Sequence, residues 1–385
     1  MSKESNEHIL VLCGGASYEH EVSIITGLQI AENIDSSKYT YSFIYFDQKN
    51  RPFWLSGFSK RQDFQTAKQV PVLFGRDDKG AYFQTTGMLP KKTHIDACYL
   101  GFHGGSGESG PVQGMLELLD VPFTSAGQEG AVIAMNKSLT KEVLRERGIS
   151  VLPSVTVWSD MYQKEPETVL ADIQKKLTLP VIIKPTHLGS SIGISIAKTN
   201  VDLEKFLDVA TRLDTEILVE PALQDFVEYN VSVRQTSGGL ECSPIEEPVR
   251  EDEILSFEDK YANGSKKTGG KSGKSGGGME LLDRKLPAEI SETLQRLIIR
   301  SAEDIYQSAR LQGLVRIDFM YHNDTLYCTE INPIPGSMSF YLWEAAGESF
   351  TEQITKSLEV AKAEHKKKIA IEPYHSDIIE KFLAH

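Results

Sequence analysis

The stretch Arg316-Ile-Asp-Phe-Met-Tyr-His-Asn-Asp-Thr-Leu-Tyr-Cys-Thr-Glu330-Ile-Asn332, followed by Pro-Ile-Pro-Gly336, reads as two strands with a polar break at His322 to Thr325. In the first, Val315, Ile317 and Phe319 alternate with Arg316 and Asp318, the period-two signature of a two-faced strand. In the second, Glu330 and Asn332 share one parity, with Ile331 between them. A turn centred on Asp324 would set Glu330 opposite Asp318 and Asn332 opposite Arg316. One face would then carry two carboxylates, an amide oxygen and a guanidinium. Oxygen ligands of this kind suit Mg²⁺, which takes one or two carboxylates and completes its shell with phosphate oxygens. The hairpin therefore points to phosphoryl chemistry on a nucleotide. A solvated sheet face with a salt-bridged Arg would give the same pattern.

Working outward, 385 residues can bury a large core and predict two or three domains. A net charge of −13 argues against a nucleic-acid partner, which needs a basic face. No apolar run approaches the length of a membrane span, and Met-Ser-Lys-Glu-Ser-Asn-Glu-His lacks a signal-peptide apolar region, so a cytoplasmic protein is expected. Cys13, Cys98, Cys242 and Cys328 are widely spaced and fall mostly in predicted strands, as free buried thiols would.

Residues 1–135 alternate strand and helix, the pattern of an open parallel α/β domain with glycine loops at one sheet edge. Its strands are expected at His8–Cys13, Tyr39–Phe46, Ile95–Phe102 and Val121–Thr124. From residue 136 the pattern becomes α+β. A lysine-rich helix stops at Gly148, and strands at 181–185 and 216–220 alternate with helices through a lobe ending near residue 228. A third part, 229–385, holds the hairpin and a Gly/Ser/Lys-rich loop within 257–285. In that loop Gly270-Lys-Ser-Gly-Lys-Ser275 is not a P-loop, because Ser265 and Thr268 stand where glycine is required. A basic flap over phosphates and a passive surface loop are the two readings of it.

Val181-Ile-Ile-Lys184-Pro-Thr-His-Leu-Gly189-Ser190-Ser191-Ile-Gly193 places a lysine at a strand end and a glycine turn after it. Glycines let backbone N–H groups approach phosphate oxygens, and the lysine supplies a point charge. Glu220 follows an apolar strand and Glu228 lies eight residues on, a spacing that can read adenine and ribose together. Each of these alone is also a common surface feature.

Taken together, and with Gly14-Gly15, Glu19, the His103-Gly…Gly107-Glu108 loop, Asn136-Lys137, Lys260-Tyr261 and Pro335-Gly336, the motifs occur in the order seen in D-alanine–D-alanine ligases of the ATP-grasp superfamily. The chain resembles that family from Gly14 to about Trp343. The resemblance implies a fold in which the α/β domain precedes a two-lobed ATP-grasp domain. It implies ATP and two Mg²⁺ ions, with Mn²⁺ able to substitute, held by Asp318, Glu330 and Asn332. Lys137 and Lys184 would contact the inner phosphates, with Ser191 in the nucleotide-side turn. Glu220 would meet adenine, Glu228 the ribose, and Lys260 the γ-phosphate. Glu19 would anchor the first amino acid's ammonium and hydrogen-bond with Ser190 and Tyr261. His103 would lie near the second substrate, with Arg316 and the Gly336 N–H facing the tetrahedral oxyanion. The implied reaction joins two D-alanines through an acyl phosphate, in a cytoplasmic homodimer whose partners are ATP and small amino acids. The same chemistry with D-serine, D-lactate or another acceptor is the alternative.

Two departures bear on the acceptor. Ser109 stands where the family has Asp, and Tyr341 where it has a small hydroxyl residue that helps bind the second substrate's carboxylate.

Overall fold

The computed structural model describes residues 6–249, 284–367 and 376–384. Lys260, Tyr261 and most of the 257–285 loop lie outside them.

Ile9 to Cys13 are fully buried, as in a strand covered on both faces. The strand Glu7–Gly14 runs parallel to Tyr39–Phe46 on one side and to Ala97–Leu100 on the other. Beyond Tyr39–Phe46 the sheet continues antiparallel through Pro52–Ser56, Lys68–Asp77, Gly80–Thr85 and Lys92–His94, so the seven-stranded sheet is mixed. Short polar turns explain the extension, since antiparallel strands need only a tight turn whereas parallel ones need a crossover. One such turn is closed by Asp47 N–H to the Arg51 carbonyl, with Asn50 at φ +57°. The strand expected at Val121–Thr124 reduces to a single bridge between Cys98 and Phe123.

A second, four-stranded antiparallel sheet is ordered Ser195–Ala197, Val181–Pro185, Glu216–Pro221, Val155–Trp158. Helices Pro166–Lys176 and Asn200–Ala210 bury Ile173, Leu203 and Leu207 against its core. Thr199 caps the second of these, its Oγ1 accepting from Asp202 N–H while the Asp202 carboxylate accepts from Thr199 N–H.

A third sheet is ordered Gly239–Cys242, Val227–Thr236, Leu314–His322, Thr325–Asn332. Helix Glu292–Ser308 presents Ile298, Ala302 and Ile305, spaced four and three apart, to the core beneath it. The short strands Glu247–Pro248 and Arg284–Lys285 pair antiparallel nearby. All four cysteines are free.

The hairpin turn is a two-residue one, with Asn323 at φ +47° and Asp324 at φ +59°. Two left-handed residues make the turn that matches the natural strand twist. Its centre therefore falls before Asp324, and straight pairing from it would set Asp318 opposite Thr329. A bulge intervenes: Phe319 pairs with Cys328, but Asp318 pairs with Glu330. Thr329 is the extra residue, and its hydroxyl donates to the Asp318 carbonyl at 2.9 Å. The extra residue shifts the buried parity from Leu326 and Cys328 to Ile331. Glu330 and Asn332 thereby join the face of Asp318 and Arg316. The expected facing is present, by way of a bulge instead of the assumed turn centre.

Candidate active site

The register draws two polar rows across the third sheet. Glu246 bridges Asn230, Asn230 lies opposite Asp318, and Asp318 opposite Glu330. Beside that row, Ser232 lies opposite Arg316 and Arg316 opposite Asn332. Arg316 grips Asp318 through two hydrogen bonds, Nε to Oδ1 at 2.7 Å and Nη2 to Oδ2 at 2.8 Å. Burial opposes the Arg316 charge, yet Asp318 holds its pKa well above the ordinary value. Asn332 Nδ2 donates to Asp318 Oδ2 at 3.1 Å, which leaves the amide oxygen as its donor atom for a cation.

The lysines arrive from the second lobe. Asn136 caps helix Lys137–Glu146 by accepting from Leu139 N–H at 2.8 Å, which fixes Lys137 at the first helical position. Lys137 Nζ then donates to the Leu188 carbonyl at 2.7 Å and pairs with Glu330 at 3.1 Å. One ammonium thus ties the glycine-turn segment to the acidic hairpin. Lys184 pairs with Glu220 at 2.7 Å, and Lys141 pairs with the other Glu220 oxygen. Burial would raise the Glu220 pKa, but the two lysines hold it down to about 2. Glu228 sits in the strand beside Met320, on the face that carries Asp318 two residues away.

Glycine loops from the first domain close the other side. Glu19 accepts from the Ser190 hydroxyl, joining the first domain to the Gly189-Ser190-Ser191 turn. Ser190 and Ser191 both take left-handed backbone, at φ +51° and +62°. A Cβ on Gly189 would lie 2.7 Å from the Glu19 carboxylate, and one on Gly104 would lie 2.4 Å from Ser17 Oγ, so a side chain at either position would displace Glu19 or Ser17. His103 is buried; its Nε2 meets the Thr26 hydroxyl at 2.7 Å and its ring also bonds the Ile334 backbone. Burial pushes its pKa down to about 4, so the ring is neutral near pH 7. Glu108 accepts from the N–H groups of Gly104 at 2.7 Å and Ile334 at 3.2 Å. Burial, reinforced by the charge of Glu19, lifts its carboxyl to about 8. His103 and Glu108 together hold the Ile334 peptide, two residues before Gly336.

Gly336 opens a tight turn in which Ser337, Met338 and Ser339 are all left-handed, at φ +47°, +56° and +48°. Three consecutive non-glycine residues in that region mark a strained segment of the sort found at ligand clamps. It delivers Tyr341, whose hydroxyl donates to Glu246 Oε2 at 2.8 Å.

Family models described as the D-ala D-ala ligase N-terminus and C-terminus match residues 8–126 and 143–359. The chain belongs to the D-alanine–D-alanine ligase family. It is 31% identical to a D-alanine–D-alanine ligase of Thermosipho africanus over 91% of this chain and 92% of the relative. It is 34% identical to one from a Nitratiruptor species, over 90% and 94%. Among solved structures, the D-alanine–D-alanine ligase of Coxiella burnetii aligns with a TM-score of 0.75 at 24% identity, covering 98% of both chains. The VanG D-Ala:D-Ser ligase of Enterococcus faecalis gives 0.76 at 24%, covering 93% of this chain and 100% of that one. These likenesses show the fold, an α/β domain followed by an ATP-grasp domain. The family makes the chain an ATP-dependent ligase, a class that uses a divalent metal.

Against the family pattern, the structure gathers Lys137, Glu330, Asp318, Asn332 and Arg316 at one place and joins Glu19 to Ser190. Glu220 is turned to the two lysines, and the Ala222 N–H is occupied by the Pro180 carbonyl. Lys260 and Tyr261 lie outside the described residues. Sequence reasoning missed Lys141, Asn230, Glu246 and Arg284. Lys141 was findable, one helical turn after Lys137. Asn230 shares the parity of Glu228. Glu246 follows Pro244 in a non-alternating run and left no signal. Two carboxylates and an amide do not make a complete cage, and among the described residues no group of three or more His, Cys, Asp or Glu could hold a metal. That fits a Mg²⁺ site whose remaining ligands are phosphate oxygens. No helix among the described residues is long and apolar enough to cross a membrane.

Proposed function

We propose that this enzyme joins two D-alanines to D-alanyl-D-alanine, the peptidoglycan precursor, at the expense of ATP. The observation that carries the reading is the meeting of Lys137, Glu330, Asp318 and Arg316 where three sheet systems converge. Asp318, Glu330 and Asn332 would hold two Mg²⁺ ions, which neutralise phosphate charge when bound. Lys137 and Lys184 bind the inner phosphates, Lys184 being oriented by Glu220, with Ser191 in the same turn. Glu220 and the backbone after it lie on the adenine side and Glu228 on the ribose. Lys260 serves the γ-phosphate.

The first D-alanine is held by its ammonium on Glu19, which Ser190 and Tyr261 steady. Its carboxylate oxygen attacks the γ-phosphorus, ADP leaves, and an acyl phosphate forms. The neutral amine of the second D-alanine then adds to the acyl carbon. Arg316 and the Gly336 N–H stabilise the resulting oxyanion, and phosphate departs as the amide forms. His103, whose ring is already bonded to Thr26 and the Ile334 backbone, positions the Gly336 segment beside the second substrate. A cytoplasmic homodimer completes the proposal. With purified protein, ATP and Mg²⁺, D-alanine should release one phosphate per dipeptide. Phosphate release only with another acceptor, such as D-serine or D-lactate, would favour the alternative.

A further inference from the structure

Just before the glycine turn, a partly exposed histidine sits between two residues that Lys137 holds. The Lys137 backbone N–H donates to the Thr186 carbonyl at 3.4 Å, and the Lys137 ammonium donates to the Leu188 carbonyl at 2.7 Å. His187 lies between these two carbonyls. Its own N–H donates to Asp214 Oδ2 at 2.7 Å, and its Nδ1 lies 2.9 Å from Asp214 Oδ1. Its Nε2 meets Asn136 Nδ2 at 3.2 Å and stands 3.8 Å from Glu216 Oε2. Three charged groups face the ring: the buried carboxylates of Asp214 and Glu216 from the strand side, and Lys137 from the helix side.

The amide of Asn136 decides which protonation state this arrangement accepts. Its Oδ1 takes the Leu139 N–H as the helix cap, so its NH₂ group must face the other partners. One of those two protons goes to Glu216 Oε2 at 3.0 Å and the other to His187 Nε2. Turning the amide over would set NH₂ against the Leu139 N–H and an oxygen against the Glu216 carboxylate. His187 Nε2 must therefore accept, which leaves the ring proton on Nδ1, where Asp214 takes it. A second proton on Nε2 would point at the Asn136 donor. The ring must then turn towards Glu216 and release the cap residue. Asp214 works in the opposite sense: its hydrogen bond raises the histidine pKa above the ordinary 6.5. We infer that His187 is a positioning residue for Lys137, keeping its helix cap and the glycine turn in register only while the ring is neutral. The inference rests on the assignment of Lys137 to the ATP phosphates above, and it ties nucleotide affinity to pH through one side chain.

The test follows the KM for ATP between about pH 6 and pH 9 in the native enzyme and in His187→Gln, whose amide oxygen accepts from Asn136 and never titrates. In the native enzyme the KM should rise about fivefold as pH falls through the histidine titration, the low end of an ordinary coupling between sites. His187→Gln should lose that rise and match the native KM within about twofold at the alkaline end. His187→Ala, with no acceptor for Asn136, should carry a raised KM at every pH. Titration of ATP itself is common to all three enzymes, so the comparison is of their profiles. An equal rise in the native enzyme and in His187→Gln overturns the assignment. A second measurement needs no variant. By reciprocity, nucleotide must favour the neutral ring, so the titration midpoint of the His187 Cε1 proton in NMR should move to lower pH when ADP and Mg²⁺ saturate the native protein. Native protein in which MgADP moves no resonance sinks the nucleotide reading and this inference with it. Protein that binds MgADP with the His187 midpoint unmoved sinks only the role of His187.

Discussion

Asp318 faces Glu330 across the hairpin because Thr329 is an extra residue in the returning strand. Deleting Thr329 would remove the extra residue, and straight pairing from the two-residue turn would then set Glu330 opposite Asp318 and Asn332 opposite Arg316 without a bulge. The acidic face keeps its composition, so the variant should still ligate, and the lost Thr329 hydrogen bond should cost about 1 kcal/mol in chemical denaturation. Thr329→Val keeps the residue count and loses one hydrogen bond, so it should cost about 1 kcal/mol and stay active. A deletion variant that folds but does not ligate would refute the view that the bulge serves only to set this facing.

Glu220 is buried between Lys141 and Lys184. Lys141→Met should destabilise the protein by roughly 3 kcal/mol and raise the KM for ATP, since Glu220 is then balanced by Lys184 alone and holds that lysine back from phosphate. The pH dependence has a definite sign. The lysines hold Glu220 at about 2, below its ordinary 4.5, so its stabilisation is present above pH 4.5 and lost as pH falls towards 2. In Lys141→Met the acid-unfolding midpoint should move to higher pH; an unmoved midpoint would show the pair to be inert.

His103 is held neutral by burial, its pKa lowered from 6.5 to about 4. The unfolded chain binds that proton first, so stability is complete above pH 6.5 and declines as pH falls towards 4. His103→Asn should lose a smaller part of its melting temperature between pH 7 and pH 5 than the native protein does. Equal losses in differential scanning calorimetry would argue that His103 does not titrate in this window.

The hydrogen bond from Ser190 to Glu19 joins two domains. A double-mutant cycle with Ser190→Ala and Glu19→Gln should show a coupling of about 1–3 kcal/mol in kcat/KM for the first D-alanine. Additive effects would mean that the contact is incidental to substrate binding.

The strands of the second and third sheets were legible because alternating burial and glycine stops write themselves into the sequence, as at Val181–Pro185 and after Lys137–Glu146. So was the facing of Asp318 and Glu330, although by a different route. Parity reasoning assumes an unbroken strand, and a bulge that exactly offsets a shorter turn cannot be told from a longer turn. The antiparallel strands between Pro52 and His94 were not read, because their burial alternates weakly along a half-exposed sheet edge. Glu246 and Arg284 escaped for a further reason. They meet only in three dimensions, 38 residues apart in sequence, and neither lies in a periodic segment.

The central claim is that a substrate carboxylate oxygen attacks the γ-phosphoryl group held over the Asp318–Glu330 face. D-Alanine labelled with ¹⁸O in its carboxylate tests this directly when the released phosphate is read by mass spectrometry. The account predicts one ¹⁸O per phosphate, formed in step with the dipeptide. Dipeptide formation with unlabelled phosphate would contradict it.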